Sequence, residues 1–274
     1  YTADTDPTGV VPFTIWVKAG SEISYIYQDN VDGAPGVRYV LVSVSPASPQ
    51  TVTNPLTITG TYKTQYRVRI EWSGLGSDAT GKVVTVTVGG TPNIKNTGDS
   101  PFDTFIDSGT TLSYSYEDVV SSTATGKRYK LDSVSGTSTA ASHDFGAITE
   151  PITETGNYKT QYRIDFSQSG IGTDYNNVVL TVDGVNYKRT ELPQSFWWDD
   201  GSTHSFKWHT PLIASSTKQY GWYKTTGLSD KREDTSFTVS GPGTITGYYR
   251  KEKPSTAPPS SGGGYKTIRR YLGR

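Results

Sequence analysis

Residues 62–70 read YKTQYRVRI, and apolar and polar side chains alternate through them. Tyr62, Thr64, Tyr66, Val68 and Ile70 fall on one face, and Lys63, Gln65, Arg67 and Arg69 on the other. A period of two predicts a β-strand that covers a core on one side and meets water on the other. The stretch returns at 158–164 as YKTQYRI, with Tyr158, Thr160, Tyr162, Ile164 and Phe166 on the inward face. The chain is therefore read as a repeat protein, and other stretches can be aligned from these two strands.

Three further landmarks recur. Residues 12–27 (PFTIWVKAGSEISYIY) match 101–116 (PFDTFIDSGTTLSYSY) and 193–208 (PQSFWWDDGSTHSFKW). Each predicts a short strand, a turn at Gly20, Gly109 or Gly201, and an aromatic strand, read together as a hairpin. A strand opening at Tyr39, Tyr129 or Tyr220 follows, and a closing strand runs up to Tyr62, Tyr158 or Tyr249. The turn glycine recurs after 89 and then 92 residues (20, 109, 201), the size of one immunoglobulin-like sandwich. Val84, Val86 and Val88 match Val178, Leu180 and Val182 as the second strand of a copy.

The predicted fold is all-β: three tandem immunoglobulin-like β-sandwich domains, the first one incomplete. The middle domain spans 62–157 and the last 158–253. Residues 1–61 hold the later landmarks, but no YKTQY strand and no valine strand precede them. Residues 254–264 (PSTAPPSSGGG) read as a linker, and 265–274 (YKTIRRYLGR) as a C-terminal segment.

The succession of YKTQY strand, glycine-containing turn, valine strand, aromatic strand, RY strand and T-x-T-G-x-Y closing strand resembles the tandem β-sandwich repeats of surface proteins in thermophilic archaea. It covers nearly all of residues 12–253. Such repeats occur in stalks, surface layers and filaments and beside secreted enzyme domains. The resemblance thus implies an extracellular, mechanical role more than any chemistry.

Composition adds exclusions. Lysine plus arginine (26) equals aspartate plus glutamate (26), so no global field points to nucleic acid. Cysteine is absent, which removes disulfides, thiolate metal sites and cysteine nucleophiles. Methionine is absent even at position 1, read as removal of a leader in preference to a fragment of a longer chain, and no apolar run is long enough to span a bilayer. No Asn-x-Ser or Asn-x-Thr sequon occurs.

No catalytic residue, metal site or cofactor is predicted. SGLGSDATG and SGIGTDYNN join strands and precede no helix, so they read as hairpin turns rather than phosphate loops. His204 and His209 near Asp199 and Asp200 are the nearest approach to a metal cluster, but five-residue spacing sends the two imidazoles to opposite faces of a strand. His143 stands alone in a serine- and alanine-rich stretch read as a loop. Trp197, Trp198, Trp208 and Trp222 suggest a sugar-stacking platform, yet they align with apolar residues of the other copies and read as core. Trp72 aligns with Gln168 and is the candidate exposed aromatic contact.

An open core edge invites another chain. The C-terminal segment begins like the organising strand, and an extended eleven-residue linker reaches roughly 35 Å. The expected partner is a second copy of the chain. Residues Tyr265, Thr267, Ile268, Tyr271 and Leu272 would enter its first domain as a donor strand, giving a head-to-tail filament or surface layer. Arg269 shares the face of Tyr265, Thr267 and Tyr271, a face that carries Val68 and Ile164 in the internal strands, so a bulge or shifted register is needed. The alternative donor is the N-terminal tail through Val10 and Val11. The rival functions are a carbohydrate-binding module with cell-surface glycans as partners, and the stalk of a larger secreted protein.

Overall fold

The computed structural model describes residues 12–254. They are almost wholly strands and turns, and the one helical element among them is a 3-10 turn at Arg189–Glu191. The chain divides into two compact units between Gln161 and Tyr162.

The first unit opens with β1 (Ser21–Ile23), β2 (Asn30–Asp32), β3 (Val37–Ser45) and β4 (Gln50–Val52), followed by the fifteen-residue β5 (Thr59–Ser73). It continues with β6 (Ala79–Thr80), β7 (Lys82–Val88), β8 (Thr91–Asn96), β9 (Phe102–Asp107), β10 (Thr111–Tyr116), β11 (Val119–Ser122), β12 (Lys127–Gly136) and β13 (Ser142–Ala147). The unit ends within β14 (Ile152–Ser169).

Two sheets enclose its core. One has the order β13-β10-β7-β8, and the other includes β9, β5, β14, β12, β11 and β6, with β5 and β14 running parallel. Alternation places Val68, Ile70, Val84, Val86, Leu112, Tyr114, Tyr116 and Tyr129 in that core. Trp72 falls in phase with Val68 and Ile70. It is half-buried and packs against the core, which corrects its reading as an exposed contact.

The second unit adds β15 (Val178–Val182), β16 (Val185–Lys188), β17 (Gln194–Asp199), β18 (Thr203–Trp208), β19 (Leu212–Ser215), β20 (Lys218–Gly227), β21 (Glu233–Thr238) and β22 (Gly243–Glu252). One sheet has the order β16-β15-β18-β21. In the other, Ile164–Ser169 of β14 pair in parallel with Gly243–Tyr248 of β22, and β17 joins β14. Its core holds Ile164, Phe166, Leu180, Trp198, Phe206, Trp208 and Tyr249.

Three expectations from sequence change. The strands on either side of Gly109 are not a hairpin, since β9 pairs with β5 while β10 pairs with β7 and β13. The same holds around Gly201, where β17 and β18 lie in different sheets. The SGLGSDATG stretch is not a hairpin turn either: it leaves β5, adds β6 to the same sheet and crosses at Gly81 to β7 on the other. Its glycines serve close approach: at Gly74, with φ +79°, a Cβ would lie 1.9 Å from the Tyr158 carbonyl oxygen, and one at Gly76 would lie 2.5 Å from the Tyr129 hydroxyl.

Candidate strand-acceptor site

Residues 12–61 form two separate strand groups. β1 pairs with β4 alone, and β2 pairs with β3, which pairs with β5 from Thr59 to Tyr66. These correspond to β10 with β13 and to β11, β12 and β14 in the middle domain. The strands without a counterpart among the described residues are those matching the later part of β5, β6, β7 and β8.

Burial follows this gap. No residue from 12 to 61 is buried, and the first buried side chain of the described residues is Val68. Trp16 and Ile26, each 98% exposed, match the outward positions of Phe105 and Ser115, whereas Phe13, Ile15 and Leu56 match the inward positions of Phe102, Thr104 and Ile152 and are also open to solvent. Full burial of one such side chain is worth roughly 1.5–3 kcal/mol, so this face forgoes a large stabilisation.

The strands on the edge of the gap are cut short. Phe13–Lys18 aligns with β9, yet residues 12–18 form no strand. In the middle domain Phe102–Asp107 pair with Gln65–Ile70, and among the described residues no strand takes that partner's place beside Phe13–Lys18. Leu56–Ile58 align with Ile152–Glu154, which pair with Val68–Ile70, and they too are irregular. β1 stops at Ile23, whereas β10 continues to Tyr116 against β7. Sequences that form strands elsewhere in this chain stay irregular here because their backbone partners are missing.

What remains is arranged as in the complete domains. A Cβ on Gly60 would meet the Tyr27 ring at 2.4 Å, as one on Gly156 would meet Tyr116 at 2.6 Å and one on Gly247 would meet Trp208 at 2.6 Å. The Tyr62 hydroxyl donates to the Gln28 carbonyl at 2.8 Å, as Tyr158 does to Glu117 at 2.8 Å and Tyr249 to His209 at 2.9 Å. Burial pushes the Tyr158 and Tyr249 hydroxyls well above the ordinary tyrosine range.

The joint with the middle domain is also formed. Arg38 donates to Gln65 at 2.7 Å, Gln65 donates to Asp107 at 2.6 Å, and Lys63 pairs with Asp107 at 2.8 Å. The Arg38 guanidinium lies 4.2 Å from the centre of the Phe105 ring. Arg128 and Gln161 repeat the first of these bonds at 2.8 Å.

One cluster in the second unit has the outline of a catalytic triad. Asp183 accepts from His204 Nδ1 at 2.7 Å, and His204 Nε2 lies 2.9 Å from Ser202 Oγ. The Ser202 hydroxyl also donates to the Asp199 carbonyl at 2.6 Å, so its proton is not directed at the imidazole. The neighbouring amides are spent too: Gly201 N donates to Val239 O and Ser202 N to Asp199 O, leaving neither to hold an oxyanion. His204 stacks on Trp198 at 3.8 Å.

His209 turns instead to Thr181 Oγ1 at 2.7 Å, so the two histidines are not brought together, and the described residues contain no group of three potential metal ligands. His143 lies on β13 with its ring against Phe145 at 4.6 Å, rather than in a loop. Trp198 and Trp208 are buried, and Trp222 is half-buried with its indole N–H on Thr225 Oγ1. Trp197 is half-buried on the face opposite Trp198, and its counterparts Trp16 and Phe105 face outward, so this position is not core as the alignment suggested.

The donor residues Tyr265, Thr267, Ile268, Tyr271 and Leu272, and the alternatives Val10 and Val11, lie outside the described residues. Sequence reasoning expected a gap from counting strands, but did not single out the contacts of Tyr27, Gly60 and Tyr62. The recurring tyrosine and glycine positions were the available signal.

No protein-family model matches the chain, and no curated protein matches it. Among solved structures, the Bacillus anthracis TIE protein is similar over 79% of this chain and 42% of its own, at 12% identity and a TM-score of 0.26. The chain thus spans less than half of that protein, and a likeness at this score carries no argument.

Proposed function

We propose that this chain is a structural subunit of an extracellular assembly, a filament or surface layer, whose copies join head to tail by strand donation into residues 12–61. The observation that carries the reading is the half-domain itself. Its tyrosine and glycine contacts are in place, while its apolar face and strand edges stand open. An open edge over an apolar face is unfavourable in water and is relieved by an added strand.

The proposed donor is residues 265–272 of a second copy. In the complete domains Lys127 and Lys218 pair with Asp78 at 3.0 Å and Asp174 at 2.8 Å, aspartates that follow the opening strand. The first segment has Val37 at the corresponding position, so it offers no lysine for such an aspartate. Arg269 must still turn out of the apolar face, which a bulge accomplishes. The extracellular location rests on the resemblance of the repeats. The sugar-platform reading loses Trp198 and Trp208, whose burial leaves no ring face for stacking.

Light scattering on the full chain and on a chain lacking 265–274 tests the donor. Concentration-dependent polymers of the full chain and monomers of the shortened one are expected. Polymers of unchanged size and stability from both would exclude this donor.

A further inference from the structure

We infer that the first segment holds two strand sites, one on each sheet, and that the second takes a valine-rich strand running antiparallel to residues 23–27. This rests on the strand-acceptor reading but does not depend on which segment fills the first site.

The copies define the two places. In the middle domain the later part of β5 lies between β14 and β9, so the first site lies between Leu56–Thr61 and Phe13–Lys18. A different strand, β7, pairs with β10 from Leu112 opposite Val88 to Tyr116 opposite Val84. β15 repeats this in the second unit, with Leu180 opposite Trp208 and Val182 opposite Phe206. Ile23–Tyr27 align with Leu112–Tyr116, and along this edge the strand stops at Ile23. A strand seated in the first site lies on the other sheet and cannot pair with this edge.

Two tyrosine hydroxyls mark the two sites separately. Tyr116 donates to the Glu154 carbonyl at 3.3 Å and to the Glu71 carbonyl, on β5, at 2.6 Å. Its counterpart Tyr27 makes the first of these bonds, to Ile58 O at 3.1 Å, and the strand carrying the second acceptor is missing. Tyr158 reaches Glu117 O and also Val83 O, on β7, at 3.3 Å, and Tyr249 likewise reaches Val179 O at 3.5 Å. Their counterpart Tyr62 reaches Gln28 O, and the strand matching Val83 and Val179 is missing. Tyr27 therefore faces a carbonyl of the first incoming strand, and Tyr62 a carbonyl of the second.

The occupant of the second site is a strand of alternating β-branched residues, Val-x-Val-x-Val, because Val84, Val86 and Val88 cover the equivalent aromatic edge in the middle domain. The chain's own repeat supplies the probes: a synthetic peptide of residues 62–73, carrying the first strand alone, and one of residues 62–96, carrying both. Each is added in excess to the full-length chain, and amide hydrogen exchange is followed at 13–18 and 56–61 for the first site and at 23–28 for the second.

The expected result is protection of 13–18 and 56–61 by either peptide, and of 23–28 by the longer one alone. Tyr62→Phe in the full-length chain should then weaken the longer peptide about fivefold and leave the shorter unchanged, the loss of one buried hydrogen bond. Protection of 23–28 by the short peptide would show that one strand completes the domain and would overturn the inference. So would a longer peptide that protects only 13–18 and 56–61, although the acceptor reading would stand. If neither peptide protects any of these amides, the acceptor reading fails and the inference with it.

Discussion

Glu154 occupies a position where the other two copies have Ile58 and Ile245, and it is wholly buried. One carboxylate oxygen accepts from the Ser138 amide at 2.7 Å, and the other has no partner. Burial raises its pKa, opposed by the Ser138 and Thr137 amides and by His143, while Tyr114 and Tyr116 face it from β10. A raised folded-state pKa means a contribution fully present below the unfolded value and lost as pH rises through the folded one. Glu154→Gln keeps the acceptor for Ser138 and removes the charge. It should match the parent in acid and exceed it by about 1 kcal/mol at pH 8, as read by denaturant unfolding at both pH values. Equal stabilities at pH 8 would mean that the charge is accommodated. The inward face of this position was legible in the sequence, since Glu154 lies four residues before the inward Tyr158, but its partner, the Ser138 amide sixteen residues earlier, was not.

At the scale of the element, the alternation in β5, β7 and β14 identified the strands and their inward faces, since burial on one side imposes a period of two. Pairing was less legible. The strands flanking Gly109 and Gly201 are close in sequence yet lie in different sheets, and alternation is the same in a hairpin and in a crossover. The aspartates of SGLGSD and SGIGTD were also missed, because their partners are 44 to 51 residues away. Asp78 accepts from Tyr129 at 2.5 Å, from Lys127 and from Ser122, and Asp174 from Tyr220 at 2.6 Å and from Lys218. Hydrogen bonds from Lys218 and Tyr220 hold Asp174 down at about 2. A depressed folded-state value stabilises above the unfolded pKa of about 3.9 and is lost as pH falls toward 2. Asp174→Asn should lower the Tm of the second unit by a few degrees at pH 7 and by clearly less at pH 2. A difference of the same size at both pH values would point to packing rather than charge.

At the scale of the whole molecule, repeat spacing led to the expectation of an incomplete domain over residues 1–61, because the organising strand occurs twice where the later landmarks occur three times. The consequences for residues 13–18 and 56–58 were not legible. Their sequences match strands elsewhere, and only the absence of a backbone partner keeps them irregular. The account therefore makes these residues a reporter of assembly: they should become strand when a donor arrives. The most direct measurement is amide hydrogen exchange at 13–18 and 56–61 in the full chain, over a range of concentrations, beside a chain lacking 265–274. The account predicts protection that grows with concentration in the full chain and is lost in the shortened one. Rapid exchange at every concentration, or identical protection in both chains, would contradict donation by the C-terminal segment.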